Sequence, residues 1–292
     1  MPYAKARDNT HLYYKDWGKG APVVLLHGWP LTGDTFDDAA LALVENGCRA
    51  IIPDRRGFGR SDQPWYGYDY DTLSDDVAAI LNHAGISEQV ALVGFSMGGG
   101  EVARFLSRQG AQRVSKAVLI SSVVPYMLQT DDNPDGVPKA TFDKMTADMK
   151  KDRAHFMKGF FKDFFGVGAL SSPVSDEVLD DAQRQALMAG LRPTLAAAQA
   201  FGTTDFRPDL KSFTVPTLVI HGTSDKTVPI DATGRVVAAQ VPGAQLIEYD
   251  GSAHGLFAID KERLIADLVS FLTGRATEQS ADQRSAIPMT QA

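Results

Sequence analysis

The sequence is poor in cysteine, in basic clusters and in long apolar runs. Among its 292 residues Cys48 is the single cysteine, so no disulfide can form within the chain. No apolar stretch approaches the ~18 residues that a membrane-spanning helix needs. The formal net charge is -7 and no run of lysine and arginine occurs, which argues against nucleic acid as a partner. The first residues lack a secretory signal, so a cytoplasmic location without membrane association is expected.

Motifs for metal ions and nucleotides are also missing. The sequence has no CxxC and no pair of histidines at ligand spacing. The glycine cluster at residues 94–100 has neither the G-x-G-x-x-G spacing nor the lysine of a phosphate-binding loop. We therefore expect no metal and no cofactor.

Short apolar runs alternate with helix-sized segments, which predicts the fold class. Unbroken runs of this kind are typical of parallel strands that are covered on both faces. They occupy residues 22–27, 49–53, 90–94, 117–120, 215–221 and 245–249. Predicted helices occupy residues 34–46, 72–84, 98–109 and 261–272, with Asp71 as a candidate cap of the second. The pattern indicates an α/β protein with a mostly parallel central sheet flanked by helices.

A helical insertion interrupts this pattern. Residues 125–208 are rich in Phe and Met and are predicted to form a helical cap, which divides the α/β core into residues 1–124 and 209–273. Within the cap, Phe156, Phe160 and Phe164 share one helix face, which either packs on the core or lines a substrate pocket. Residues 274–292 are polar and aperiodic and are predicted to be a loose C-terminal tail.

The segment Gly94-Phe95-Ser96-Met97-Gly98 matches the G-x-S-x-G pattern of a nucleophile elbow. The pattern alone is weak, but here a predicted strand precedes it and a predicted helix follows directly. That order holds a serine in a strained turn with its hydroxyl exposed. Ser96 is therefore the candidate nucleophile.

A serine hydroxyl needs a base, and a histidine base needs an acid. His254 is the one histidine of six that falls in a loop after the last predicted strand, so it is the candidate base. Asp225 follows the strand at residues 215–221 and lies between serine and histidine in chain order, as the acid does in α/β-hydrolases. The competitors for this role are Asp205, Asp209 and Asp250.

An oxyanion hole needs two preorganised N–H donors. The residue after the nucleophile, Met97, offers the first N–H, and Trp29, in the loop after an early strand, offers the second. Pro30 has no N–H and restricts Trp29 to extended conformations. We expect Pro30 to line the substrate pocket, to fix this loop and to place the Trp29 carbonyl near the acyl group.

The segment DRRGFGRSD at residues 54–62 is also a candidate functional site, because it is dense in charged residues. Turns at strand ends that carry paired arginine and aspartate are more often structural, and a structural role is the interpretation we favour.

Several motifs together resemble one family. They are HGWPL at residues 27–31, DRRGFGRSDQPW at 54–65, VGFSMGGG at 93–100, TDFRPD at 204–209 and HGTSDKTVP at 221–229. In this combination the chain is similar to the bacterial cofactor-free (non-haem) haloperoxidases and the related arylesterases of the α/β-hydrolase superfamily. The similarity extends over about residues 3–273 and includes the cap.

The resemblance implies hydrolysis of small aryl and short-chain acyl esters by a triad of Ser96, Asp225 and His254. It further implies perhydrolysis, in which hydrogen peroxide replaces water and the resulting peracid oxidises halide without a cofactor. The resemblance also implies assembly into homo-oligomers. Phe160, Phe164 and Phe201 match acyl-pocket positions of relatives. At the pocket positions Met127 and Ile230 some relatives have aromatic residues, so the shape of the pocket differs here.

Other functions fit the same motifs. Halide oxidation or opening of small lactams could be the main role, and a C–C hydrolase or hydroxynitrile lyase could keep the triad. A non-catalytic small-molecule receptor on this fold could keep it too. Ser96 at the elbow excludes the dehalogenase and epoxide hydrolase routes, which use an aspartate nucleophile.

Overall fold

The structure is a computed structural model that describes residues 2–168 and 171–275. Its strands are β1 (Tyr3–Lys5), β2 (His11–Gly18), β3 (Ala21–Leu26), β4 (Cys48–Pro53), β5 (Val90–Phe95), β6 (Val114–Ile120), β7 (Thr217–Gly222) and β8 (Gln245–Tyr249). Its helices are α1 (Asp37–Glu45), α2 (Tyr70–His83), α3 (Met97–Phe105), α4 (Lys139–Phe164), α5 (Asp176–Met188), α6 (Leu191–Thr203), α7 (Gly234–Gln240), α8 (Leu256–Ile259) and α9 (Lys261–Thr273). The predicted tail after residue 275 lies outside the described residues.

The strands form one sheet in the order β1-β2-β4-β3-β5-β6-β7-β8. The six strands from β4 to β8 in this order run parallel, while β1 and β2 add an antiparallel edge. Every residue of β5 and β7 is buried, as expected for central strands that are covered on both faces. The prediction of a mostly parallel α/β sheet is confirmed.

The structure contains the predicted strands and helices of the α/β core, with local corrections. The cap of α2 is Asp69, whose carboxylate accepts a hydrogen bond from the Thr72 N–H, so the assignment to Asp71 was wrong. The side chain of Asp71 instead pairs with Arg104. The short elements β1, α7 and α8 were not predicted, because three, seven and four residues are too short to establish a period.

The segment between β6 and β7 carries helices α4, α5 and α6, and α4 packs against both of the others. Helix α4 bends at Asp152, whose backbone is not helical (φ -157°, ψ 91°). Helices α5 and α6 of this segment are separated at Ala189 and Gly190. The boundaries at residues 125 and 208 stay predictions. None of the described helices is both long and apolar enough to cross a membrane.

The charged segment after β4 is structural, as we favoured. The Asp54 carboxylate is fully buried and accepts hydrogen bonds from Gly33 N–H and from the backbone and side chain of Arg60. Arg56 is buried between the carboxylates of Asp76 and Asp8. These contacts hold the loop against the segment that follows β3, against α2 and against the turn between β1 and β2.

Cys48, at the start of β4, packs into the core and is 3% exposed. Burial raises the pKa of its thiol. The side chain is therefore a small apolar group at neutral pH.

A buried ion pair joins the loop after β4 to helix α3. The Arg55 guanidinium pairs with the Glu101 carboxylate, and both side chains are at most 3% exposed. Arg55 also donates to the carbonyl of His27, at the end of β3 (2.6 Å). The pair thus ties the helix after Ser96 to the strand that leads into Trp29.

We expect Glu101→Leu to lower the free energy of unfolding by about 3–5 kcal/mol, because it leaves the buried Arg55 cation unpaired. The double variant Arg55→Met/Glu101→Leu should be more stable than Glu101→Leu alone, since no buried charge remains. Urea unfolding of the three proteins measures both effects. A cost below about 1 kcal/mol for Glu101→Leu would show that the pair is not the constraint described here.

Candidate active site

Ser96 lies in a strained turn between β5 and α3. Its backbone has φ 54° and ψ -117°, a conformation that a residue with a side chain rarely adopts. The glycines of the motif make the turn possible. A β-carbon built at Gly94 would lie 2.4 Å from the Gly98 carbonyl oxygen, and one built at Gly98 would lie 2.1 Å from the Leu26 carbonyl oxygen. Any larger residue at either position would push β3, β5 and α3 apart.

The structure brings the three predicted triad residues together. His254 Nε2 lies 2.9 Å from Ser96 Oγ, and His254 Nδ1 lies 2.6 Å from Asp225 Oδ2. The three residues come from the turn after β5, the loop after β7 and the loop after β8, which meet at the carboxyl edge of the sheet. The arrangement is a continuous hydrogen-bonded chain from the hydroxyl to the carboxylate.

Asp225 receives more hydrogen bonds than the sequence suggested. The backbone N–H groups of Thr227 and Val228 donate to Oδ1. His221 Nε2 lies 3.3 Å from Oδ2 and 3.0 Å from the Val228 carbonyl oxygen. Because both of these neighbours are acceptors, His221 carries its proton on Nε2. Burial by itself raises the pKa of the Asp225 carboxyl, but His254 and the hydrogen bonds outweigh it and hold that pKa well below its usual range.

The sequence predicted only His254 as a partner of Asp225, and the contact with His221 was missed. The available signal was the four-residue spacing between His221 and Asp225 around the turn after β7. The competitors for the acid are engaged elsewhere. Asp209 pairs with Arg104, Asp205 pairs with Arg207, and Asp250 accepts from the Thr223 hydroxyl.

Trp29 and Met97, whose N–H groups are predicted to form the oxyanion hole, belong to segments that adjoin Ser96. A β-carbon built at Gly28 would lie 3.0 Å from Ser96 Cβ, so the loop that carries Trp29 passes directly beside the nucleophile. Met97 is the first residue of α3, where N–H groups have no partner within the helix. The Trp29-Pro30 peptide bond is cis. The oxyanion hole and the role of Pro30 in it stay predictions.

A cavity of about 400 Å³ opens beside Ser96, beneath the cap. Its wall is mostly apolar and includes Trp29, Met127, Phe142, Phe156, Phe160 and Phe201. The charged side chains Lys144, Asp148, Asp163 and Lys226 also line it. An aromatic wall with a few charged groups suits a small, largely apolar substrate.

The six predicted pocket residues divide into two groups. Met127, Phe160 and Phe201 lie in the cavity wall, while Pro30, Phe164 and Ile230 do not line it. Phe164 instead packs its ring on the imidazole of His254, at 4.7 Å between centroids. Phe95 lies against the same imidazole at 5.0 Å. The two rings shield His254 from water and hold its plane.

A metal site would need a group of histidine, cysteine and carboxylate side chains. Within residues 2–168 and 171–275, no three such side chains lie close enough together to bind a metal ion. The ionisable groups around Ser96 are instead engaged with one another, as described above.

Comparisons with known proteins agree with this geometry. The family model described as alpha/beta hydrolase fold matches residues 21–260. The chain belongs to this family. Within the family, the hydrolase is 43% identical to a non-haem chloroperoxidase of Kitasatospora aureofaciens over 93% of this chain and 99% of that protein. It is 40% identical to a bifunctional esterase/perhydrolase of Acinetobacter calcoaceticus, with the same coverage.

Solved structures show the same relationship. A bromoperoxidase from Bacillus anthracis superimposes on the hydrolase with a TM-score of 0.89 at 41% identity, over 93% of this chain and 99% of that one. An esterase from Exiguobacterium antarcticum gives a TM-score of 0.87 at 34% identity, over 92% and 98%. The resemblance to the non-haem haloperoxidases is thereby confirmed, and the hydrolase is an enzyme of that group.

Protonation of His27 should destabilise the hydrolase in mild acid. Burial and the neighbouring Arg55 cation hold the pKa of His27 well below its ordinary value of about 6.5, so the folded protein keeps this ring neutral. The unfolded chain takes up a proton below about pH 6.5, so the stabilisation is present above that pH and lost as the pH falls. This group should contribute about 2 kcal/mol to the loss of unfolding free energy between pH 7 and pH 5.

Urea unfolding of His27→Asn at both pH values checks this expectation, and the pH dependence should shrink by that amount. The matched control is His155→Asn, because His155 is exposed on the cap. An equal pH dependence in wild type and His27→Asn would contradict the assignment.

His221→Leu removes one donor from Asp225 and should lower kcat for ester hydrolysis about tenfold or more, since a hydrogen bond to a charged group is worth about 1.5–3 kcal/mol. His221→Gln keeps an N–H donor near the position of Nε2 and should retain more activity than the leucine variant. Steady-state kinetics of the two folded variants decide the point. A leucine variant with wild-type kcat would refute the role of His221.

Proposed function

We propose that the hydrolase cleaves small carboxylic esters by acyl transfer through Ser96. His254 takes the proton from the Ser96 hydroxyl as the oxygen attacks the ester carbonyl, and the tetrahedral intermediate collapses with loss of the alcohol. Water, activated by the same imidazole, then releases the carboxylic acid. The observation that supports this proposal best is the hydrogen-bonded chain Ser96–His254–Asp225 beside an apolar cavity.

Electrostatics favour the charged intermediate state. When His254 becomes an imidazolium, its Nδ1–H faces the Asp225 carboxylate, which its other hydrogen bonds keep ionised. Asp225 also fixes the tautomer that leaves Nε2 free to accept the serine proton. The N–H groups of Trp29 and Met97 are the proposed donors to the oxyanion, and such a donor typically contributes a factor of about 100–1,000 in kcat.

The cavity wall supports an apolar substrate. The ring of Trp29 packs against Phe160 at 5.3 Å and Phe201 at 5.5 Å between centroids, which forms an aromatic surface beside Ser96. An aryl group or a short acyl chain would bury apolar surface there, at about 25 cal/mol per Å². Aryl and short-chain acyl esters are therefore the proposed substrates.

Perhydrolysis is a second proposed activity, and the relatives named chloroperoxidase and esterase/perhydrolase favour it. Hydrogen peroxide would attack the acyl-enzyme in place of water, which yields a peracid and regenerates the Ser96 hydroxyl. The peracid then oxidises a halide ion to hypohalous acid, and the carboxylic acid is released. The peroxide supplies both oxidising equivalents, so this sequence uses no protein-bound redox group.

Other roles stay predictions from the sequence. They are a main activity in halide oxidation or lactam opening, a receptor function, assembly into homo-oligomers and a cytoplasmic location. A receptor would bind a small molecule tightly with little or no turnover, which an ester assay distinguishes from an enzyme.

The test is hydrolysis of p-nitrophenyl acetate by wild type and Ser96→Ala, each with and without hydrogen peroxide and bromide in the presence of a halogenation dye. We expect Ser96→Ala to lose at least 1,000-fold in kcat for the ester and to lose dye bromination as well, because both activities pass through the acyl-enzyme. Wild-type ester hydrolysis in the alanine variant would overturn the proposal. Bromination that persists without Ser96 would separate that activity from the triad.

A further inference from the structure

Two cavities of the hydrolase share a wall. The first is the cavity beside Ser96, and the second is a groove between α4 and α6 on the cap, also of about 400 Å³. Phe142 and Met145 line both of them. These residues lie one turn apart on α4, so their side chains stand side by side on one face of the helix.

The ring of Phe142 closes the gap between the two helices. On the cavity side it meets Phe201 of α6, at 6.3 Å between ring centroids. On the groove side it lies against Gly202, where a built β-carbon would be 2.9 Å from the ring carbon Cδ1. Because residue 202 has no side chain, the Phe142 ring fits between α4 and α6.

The groove beyond this wall is amphipathic. Its apolar part is formed by Leu128, Leu195 and Ala198 together with the two wall residues, and Lys150 and Arg192 lie among its polar groups. A groove with apolar sides next to an apolar cavity suits the distal part of an aliphatic acyl chain whose carbonyl group lies at Ser96. One layer of side chains separates the groove from the cavity beside Ser96.

We propose that Phe142 and Met145 are a partition that limits the acyl chain accepted by Ser96, and that the groove is a latent subsite for the distal part of a longer aliphatic chain. This inference rests on the proposed ester hydrolysis. In the wild-type protein the chain ends against the partition, so medium-chain esters react poorly. A smaller residue at position 142 joins the two cavities and gives such chains an apolar path.

The experiment compares kcat/KM for p-nitrophenyl acetate, butyrate and decanoate in wild type, Phe142→Ala and Met145→Ala. We expect the decanoate-to-butyrate ratio of Phe142→Ala to rise at least tenfold over wild type, because each added methylene that leaves water is worth about fourfold. Met145→Ala should change the ratio in the same direction. Phe142→Leu, which keeps part of the bulk, should give an intermediate value.

A second variant separates the groove from a general loosening of the cap. Ala196 lies in the groove wall and does not line the catalytic cavity. Ala196→Trp, added to Phe142→Ala, should fill the groove and remove the gain on decanoate. A gain that survives this substitution would refute the groove as the subsite.

The outcomes are distinguishable from failure of the proposed function. If wild type does not hydrolyse the acetate, the ester hydrolase proposal fails. If wild type and the variants hydrolyse the acetate but the decanoate-to-butyrate ratio is unchanged in both Phe142→Ala and Met145→Ala, the partition is refuted. Should Phe142→Ala fail to fold, Phe142→Leu and Met145→Ala carry the same test.

Discussion

The contact on which the site depends is the close approach of the start of α3 to the end of β3. Gly98 lies against the Leu26 carbonyl, and Ser96, two residues before it in the same turn, has a backbone φ of 54°. A residue held in that conformation costs of order 1–3 kcal/mol, which the surrounding packing must offset. As a result, the Ser96 hydroxyl, the first turn of α3 and the loop of Trp29 lie next to one another in the active site.

The buried ion pair of Arg55 and Glu101 stabilises the approach of α3 to β3 and takes no part in the proposed reaction. Arg55 and Glu101 connect the two segments that flank Ser96, and the backbone N–H of Arg55 donates to the Nε2 of His27 (3.0 Å). His27 in turn lies on the chain directly before the Trp29 loop. The charged segment at residues 54–62 therefore stabilises the packing behind the active site, while Asp225 is the carboxylate that contacts His254 Nδ1.

Much of the fold could be predicted because central parallel strands are apolar on both faces. The strand at residues 245–249 was placed without error, whereas β1 and α7 are too short to show a period. The three triad residues could be placed because chain order and strand ends constrain them. The relation of His221 to Asp225 was missed, since the four-residue spacing brings the two side chains together only because the turn after β7 folds back on the buried ring.

The cavity wall was the least predictable part of the site. The cap residues in the cavity wall belong largely to α4 and α6. The directions in which their side chains point depend on the bend at Asp152 and on where α6 begins. Phe160 and Phe164 share a helix face, yet one lines the cavity and the other packs on His254. Helical spacing places side chains on a face, and only the packing of that face decides which of them meets a substrate.

The buried thiol of Cys48 makes this chain a convenient subject for site-directed labelling. It is the one cysteine in the sequence, it is enclosed by the core, and its thiolate is disfavoured at neutral pH. A fluorophore or spin probe attached through a cysteine introduced on α4 or α6 would thus report from a single defined place without prior removal of native thiols. Distances between two such probes would then show whether α4 and α6 move relative to each other during turnover.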